Sequence, residues 1–477
     1  MRDYLFPLLQ LQRFFIPILL AALCWGIWRM VVKKDLAVGL ALYLCVVVLV
    51  DGFYNTGIYL PGLDKGSIRY SEVCAAFLFF ARPSSAPRRA PYFTVCFLVG
   101  LYFVLMVMSV LRSEPLLPAI FEFRQVIIPQ VVAFLLAIRL LERPEEYRRF
   151  FLCLTALVLL VSVFLFWDVF FDRWVLHSDV LDNAIYYANR RHGRYGSVFL
   201  NPNYLGAFVV LVFPALFAYF LDKQGAGARL YCAVGLLALA FCLIETRSRG
   251  PVLAFAVVVL LLLIGPLRGM SRMRRFGIVA FLAGVLFLLM PGFYETSIER
   301  FSTLDVETSH EGQTRQTMWD YAWGFITEHP IGGIGFGEGQ FRKAMATTDF
   351  VDRFGLESLH NPHNSYLQAA VYAGIPALLA FVLANVVLVA HGLRLSMGSA
   401  QRVSAPTAFG LTVGIVGFLL SIYPDMHLFT WTVAPVYWVF AGLLLSLVSK
   451  LAPGRAGVAD VLDAQPAGQH RGVTSRS

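Results

Sequence analysis

Residues 361–390 read NPHNSYLQAAVYAGIPALLAFVLANVVLVA. After a polar opening the stretch carries no Asp, Glu, Lys or Arg, and an apolar run this long reads as a membrane-spanning helix, expected here over 364–392. Asn361 suits a helix N-cap and Pro362 the first helical position. That reading places His363 in the first helical turn, at a boundary between water and lipid. There the positive end of the helix dipole disfavours an imidazolium and keeps the ring neutral and able to accept a proton.

Working outward, the same apolar signature recurs along the chain. Candidate spans lie near 13–32, 36–53, 67–82, 91–111, 116–140, 150–171, 204–221, 229–246, 250–266, 276–293, 364–392, 406–423 and 428–449. The first is read as a retained helix, because no convincing cleavage site follows it. Of the 477 residues, 58% are hydrophobic and 14% charged, and the mean hydropathy is +0.68. Soluble domains carry about 25% charged residues. The expected fold is therefore all-α, a polytopic transmembrane helical bundle of about 12–13 spans with one large external loop that itself contains a helix.

Lys and Arg fall in alternate short loops, which assigns those loops to the cytoplasm. Segments 172–203, 246–250, 294–363 and 423–428 then face outward. Four regions are expected: transmembrane helices over 1–293, the external loop 294–363, further transmembrane helices over 364–451, and a disordered cytoplasmic tail over 452–477. The net charge of +9 belongs to loop arginines beside membrane lipids and not to a nucleic-acid patch. Seven cysteines lie in apolar spans without a C-x-x-C pair, so neither a disulfide framework nor a zinc site is implied.

The external loop has internal order. Gln313 to Glu328 reads as an amphipathic helix with Met318, Tyr321, Ala322 and Phe325 on one face, placed to lie over the bundle mouth as a lid. His329-Pro330 ends it, and the glycines from Gly332 to Gly337 are expected to form a flexible hinge.

Several residues are candidates for chemistry. His363 is a plausible general base for a substrate hydroxyl, or a histidine that only caps its helix; His360 stands three residues before it and Asn364 beside it. Arg247 and Arg249 flank a tight break at Ser248-Arg249-Gly250-Pro251 where a new helix starts. Arginine beside a helix N-terminus is a ready anion site, although snorkelling to lipid headgroups is the bland alternative. Arg315 stands near the start of the lid helix, placed to swing over a bound anion or to sit on a solvated face. Arg191 and Arg194 precede Asn201-Pro202-Asn203, where Asn201 again looks like an N-cap. Three helix starts, near 202, 250 and 362, thus point outward with basic residues nearby, and helix N-termini that converge favour a polyanion such as diphosphate. Arg124, with Glu122, lies inside the fifth span; it is placed either to reach such a group or to form an internal ion pair with another span. No P-loop, D-x-D or H-E-x-x-H occurs, and the Gly332–Gly339 run lacks the βαβ setting of a dinucleotide fingerprint, so no cofactor or metal is expected.

In these motifs the chain resembles the O-antigen ligase and O-antigen polymerase superfamily of membrane-embedded glycosyltransferases. The resemblance rests on Gly196-Ser197-Val198-Phe199 with Asn201-Pro202-Asn203, on Ser248-Arg249-Gly250, and on Arg315 ahead of Trp319. It rests also on His329-Pro330 with Gly333, Gly335 and Gly337, and on His363-Asn364 with Gly374; it departs at Ala377, where Gly, Thr or Tyr is usual. The resemblance implies transfer of a glycan from an undecaprenyl-diphosphate-linked donor to a sugar hydroxyl of lipid A–core, on the periplasmic face of the bacterial inner membrane. It implies an inverting, metal-independent reaction with His363 as base and with Arg315 and Arg249 at the diphosphate. Alternatives are an O-antigen polymerase, a protein O-oligosaccharyltransferase or, in another class, a lipid-glycan flippase or transporter.

Overall fold

The computed structural model describes residues 35–51, 69–79, 90–141, 144–171, 193–222, 225–264, 310–355, 361–397 and 405–451, with a few isolated positions besides. All regular elements among the described residues are helices: α1 (Leu36–Leu49), α2 (Tyr70–Phe79), α3 (Ala90–Leu111), α4 (Leu116–Leu140), α5 (Pro144–Phe171), α6 (Pro202–Leu221), α7 (Ala226–Thr246), α8 (Arg249–Ile264), α9 (His310–Glu328), α10 (Glu338–Met345), α11 (Phe350–Phe354), α12 (Ser365–Ala373), α13 (Ile375–Met397), α14 (Ala405–Ser421) and α15 (Val433–Leu451). Single 3-10 turns lie at Ser197–Phe199 and His427–Phe429. Six of these helices are long and apolar enough to cross a membrane, and four shorter ones, α1, α8, α14 and α15, are also apolar. The chain is an all-α, multi-pass membrane protein. The candidate spans 13–32 and 276–293 and the tail 452–477 lie outside the described residues.

The bundle centre is built on α6 and α14. Both bury most of their side chains, and they pack against each other. Close approach is possible because Gly410, Gly414 and Gly417 of α14 meet the α6 backbone near Pro214, Leu211 and Val210. Helix α8 flanks α14, α7 flanks α6, α15 lies along α4, and α13 lies along α3. Phe103, Phe134, Phe381, Tyr102 and Tyr437 gather round the ring of Trp438, and the Trp438 indole N–H donates to Gln130 Oε1 at 2.7 Å.

The span expected over 364–392 is not one helix. It breaks at Gly374, which has φ +85° and ψ 170°. Hydrophobicity is continuous through the break, so the apolar pattern carries no sign of it. Its cause is the loop that precedes it. The Ile331 carbonyl fills the space where a Cβ would stand on Gly374, and Ile375 N–H donates to Pro330 O at 2.8 Å. Gly333, at φ +66°, presses in turn against the Tyr372 backbone, while Ile334 N–H donates to Val371 O at 2.9 Å and Phe336 N–H to Ser113 Oγ at 2.8 Å. The glycine run expected to be a flexible hinge is instead locked against α12 and the α3–α4 corner.

This contact makes a prediction. Gly374→Ala adds a collision to a backbone region that only glycine occupies readily, an expected loss of roughly 2–5 kcal/mol. Thermal unfolding in detergent should register it, whereas Gly324→Ala, which meets open space on α9, should be neutral.

The helix expected from Gln313 forms from His310 to Glu328. It buries Met318, Ala322 and Ile326, with Tyr321 and Phe325 half-buried, and rests on α12.

Candidate active site

The start of α12 differs from the sequence reading by one turn. Asn361 does not cap the helix; its Oδ1 accepts the His363 N–H at 2.9 Å in a local turn. The cap is Asn364, whose Oδ1 accepts from Tyr366 N at 3.0 Å and Leu367 N at 3.1 Å. His363 therefore lies before the helix, at φ +45°, a left-handed conformation that costs a residue other than glycine roughly 1–2 kcal/mol. Two contacts hold it there: the Asn361 turn, and the Trp319 indole N–H donated to Pro362 O at 2.7 Å. Standing outside the first turn, the His363 ring takes its environment from the groups that face it.

What faces the ring is Asp425, a residue the sequence reading missed. His363 Nδ1 lies 3.8 Å from Asp425 Oδ1. The carboxylate is buried at 5% exposure. Its other oxygen accepts from Asn203 Nδ2 at 2.6 Å, and Oδ1 accepts from the Met426 N–H at 2.7 Å. Its backbone carbonyl takes the Ser365 hydroxyl at 2.8 Å and the Ser365 N–H at 3.1 Å. Gln130 Nε2 fixes the same loop from α4 by donating to Leu428 O at 2.8 Å. Burial alone would raise the Asp425 pKa. The imidazoles of His427 and His363 and the Met426 N–H outweigh it and hold the group below the usual carboxylate range.

Asn203 continues the network outward. As read from the sequence, Asn201 caps α6, accepting the Asn203 N–H at 2.8 Å. The Asn203 side chain then bridges Asp425 to Arg194, whose guanidinium donates to Asn203 Oδ1 at 2.9 Å and to Ser248 Oγ at 3.0 Å. Ser248 opens the turn before α8. Next to it Arg249 is exposed at the first position of that helix, and Gly250 faces the Pro424 ring. From the opposite side Arg315 donates to Pro424 O at 3.2 Å. The N-termini of α6, α8 and α12, the start of α9 and the loop at 422–432 thus meet at one end of the bundle. Arg247 stands exposed at the left-handed end of α7, over Gly193.

Arg124 is placed elsewhere. It pairs with Glu72 of α2 at 2.6 Å, beside Arg69, whose guanidinium covers the Trp431 ring at 5.5 Å. Glu122 accepts the Glu338 N–H, at 2.9 Å to Oε1 and 3.1 Å to Oε2, which anchors the first turn of α10. Arg191 and His360 lie outside the described residues.

His427 is a second histidine against Asp425. It is fully buried, its ring is edge-on to Tyr204 at 5.6 Å, and neither ring nitrogen has a hydrogen-bond partner among the described residues. Burial lowers its pKa, against the pull of Asp425. A histidine held neutral when folded contributes stability that is present above its unfolded value of about 6.5 and is lost as pH falls through the lowered folded value. The melting temperature is therefore expected to drop on acidification below about pH 6.5. His427→Phe, which keeps the ring against Tyr204, should flatten that dependence.

The signal for Asp425 and His427 was present but faint: an acid and a histidine in a short turn between two apolar runs, in Tyr423-Pro424-Asp425-Met426-His427. Residues 234–382 match the family described as O-antigen ligase. The match includes Arg249, Arg315, His363 and Asn364; Arg194, Asn203 and Asp425 lie outside it. No curated protein matches the chain.

Proposed function

We propose, from the O-antigen ligase match over 234–382, that this protein joins a glycan carried on undecaprenyl diphosphate to a sugar hydroxyl of lipid A–core. The reaction takes place at the periplasmic face of the bacterial inner membrane, with both substrates held in the bilayer by their lipid chains. One observation carries the reading: His363 Nδ1 faces a buried carboxylate at a meeting point of helix N-termini and arginines.

Each part has a chemical task. Asp425 faces Nδ1 at 3.8 Å, and its charge favours the tautomer that keeps the proton on Nδ1 and leaves a lone pair on Nε2. Nε2 removes the proton from the acceptor hydroxyl as its oxygen attacks the anomeric carbon. The bond from that carbon to the diphosphate oxygen breaks on the opposite face, which inverts the anomeric centre. Charge grows on the departing diphosphate, where Arg315 and Arg249, with Arg247 and Arg191, bind and stabilise it. Asp425 meanwhile balances the imidazolium that forms. Arg194 acts further back, holding Asn203 against Asp425. The donor linkage is already activated, so the reaction needs no nucleotide, and arginines supply the charge neutralisation that a metal would otherwise provide.

Purified protein, undecaprenyl-diphosphate glycan and two acceptors, lipid A–core and a second lipid-linked glycan, test the reading. Transfer to lipid A–core that persists in chelator is expected. Transfer only to the second glycan would make the protein a polymerase, and movement of donor across vesicles without any transfer would make it a transporter.

A further inference from the structure

Trp319 of α9 and Tyr423 of the 422–432 loop form an aromatic corner beside this site. Their rings meet edge to face, 5.6 Å between centroids and 67° between planes. Each is one step from the chemistry. Tyr423 lies two residues before Asp425, and the Trp319 indole N–H is bonded to the carbonyl of Pro362, the neighbour of His363. Arg315, one turn before Trp319, holds Pro424 O between them.

Tyr423 stands out by its exposure. The helix it follows, α14, is enclosed by α6, α8, α13 and α15. Among the described residues of 405–451 the large apolar side chains are covered except Leu420, at 43%, and Tyr423, at 56%. Tyr423 is thus an exposed ring that touches Trp319, the residue bonded to the His363 segment, and adjoins Pro424, which Arg315 holds. No described side chain other than Trp319 stacks on it.

We infer that Trp319 and Tyr423 form a sugar-stacking subsite, the open face of Tyr423 receiving the apolar C–H face of a pyranose next to the reacting centre. The inference rests on the transferase reading above and adds to it the surface that orients the sugar. The C–H groups on one face of a pyranose carry partial positive charge, and the face of an aromatic ring is negative. The contact also removes apolar area on both partners from water. Trp319 is the positioning residue: it fixes the tilt of Tyr423 and, through Pro362, the distance from that ring to His363. Two sugars have the required face, the first residue of the donor glycan and the terminal residue of the acceptor.

The test uses full-length protein in nanodiscs and the variants Tyr423→Phe, Tyr423→Leu and Trp319→Phe. Leucine keeps an apolar side chain at an exposed position and removes only the ring, so folding is preserved. Steady-state transfer is measured with each substrate varied in turn. Saturation transfer from aromatic protons is measured to soluble O-antigen oligosaccharide and, separately, to soluble core oligosaccharide. Tyr423→Phe keeps the ring and should retain the saturation transfer that Tyr423→Leu loses. Tyr423→Leu should raise KM for one substrate by roughly 5- to 20-fold with kcat nearly unchanged, and should lose saturation transfer to the corresponding oligosaccharide. The substrate affected identifies which sugar stacks. Trp319→Phe should give a smaller rise in the same KM. If Tyr423→Leu retains both KM values and both saturation-transfer signals, the ring is a bilayer-interface anchor and the subsite is overturned. Saturation transfer lost in Tyr423→Leu, in a protein that joins no glycan, would leave the subsite standing and remove the transferase reading.

Discussion

His363→Ala is expected to cripple glycan joining, with a fall in kcat of about 10²–10⁴-fold, while the undecaprenyl-diphosphate donor still binds. The magnitude is that of a positioned general base. A sugar hydroxyl is a weak nucleophile and must lose its proton as it attacks; alanine leaves no other base at that atom. Donor binding should survive because the groups proposed to hold diphosphate are on other elements: Arg249 opens α8 and Arg315 sits on α9. Alanine meets the φ of +45° at a cost similar to that of other residues with a Cβ, so the variant should fold, with Asn361 and Trp319 still fixing the segment. A variant that joined glycan at the wild-type rate would remove His363 from the chemistry and, with it, the reading of the whole site.

Asp425→Asn has the second largest effect, a fall in kcat of about 10- to 100-fold with little change in either KM. The carboxylate faces three donors: Asn203 Nδ2, the Met426 N–H and the His363 ring. An amide of the same shape has one oxygen, so its NH₂ is turned against Asn203 or His363. A charge-assisted hydrogen bond contributes about 1.5–3 kcal/mol, and each 1.36 kcal/mol is tenfold in rate. Since Asp425 acts through the imidazole, the substitution should have no further effect in a His363→Ala background, a non-additivity that a double-mutant cycle measures. Additive losses would show that Asp425 serves the fold alone.

The parts of this architecture legible in the sequence are those that depend on neighbours along the chain. The apolar runs, the Asn201 cap on α6, the start of α8 at Arg249 and the amphipathic helix ending at Glu328 all follow from local spacing and capping chemistry. The missed parts depend on a partner far away. Gly374 breaks its helix because Ile331 occupies the space beside it, and the run Ile375-Pro376-Ala377-Leu378 looks the same with or without that partner. Asn361 and Asn364 are both good caps, and only the contacts of His363 decide between them. Arg124 reads equally as a diphosphate ligand or as half of an ion pair until Glu72 is seen beside it. Asp425 looks like an ordinary acid in a short turn until Asn203 and His363 are brought to it.

The enclosure of α14 bears on how the protein is made. Helices α6, α8 and α13 precede it in the chain, yet α14 fits among them, its glycines against the carbonyls of α6. During synthesis the earlier helices enter the bilayer around a slot that lipid or the insertion machinery must fill until α14 arrives. The turn after that helix delivers Asp425, so this carboxylate reaches the imidazole only when assembly is nearly done. A nascent copy stalled before that point has its arginines and its histidine in place but lacks the carboxylate that faces the ring.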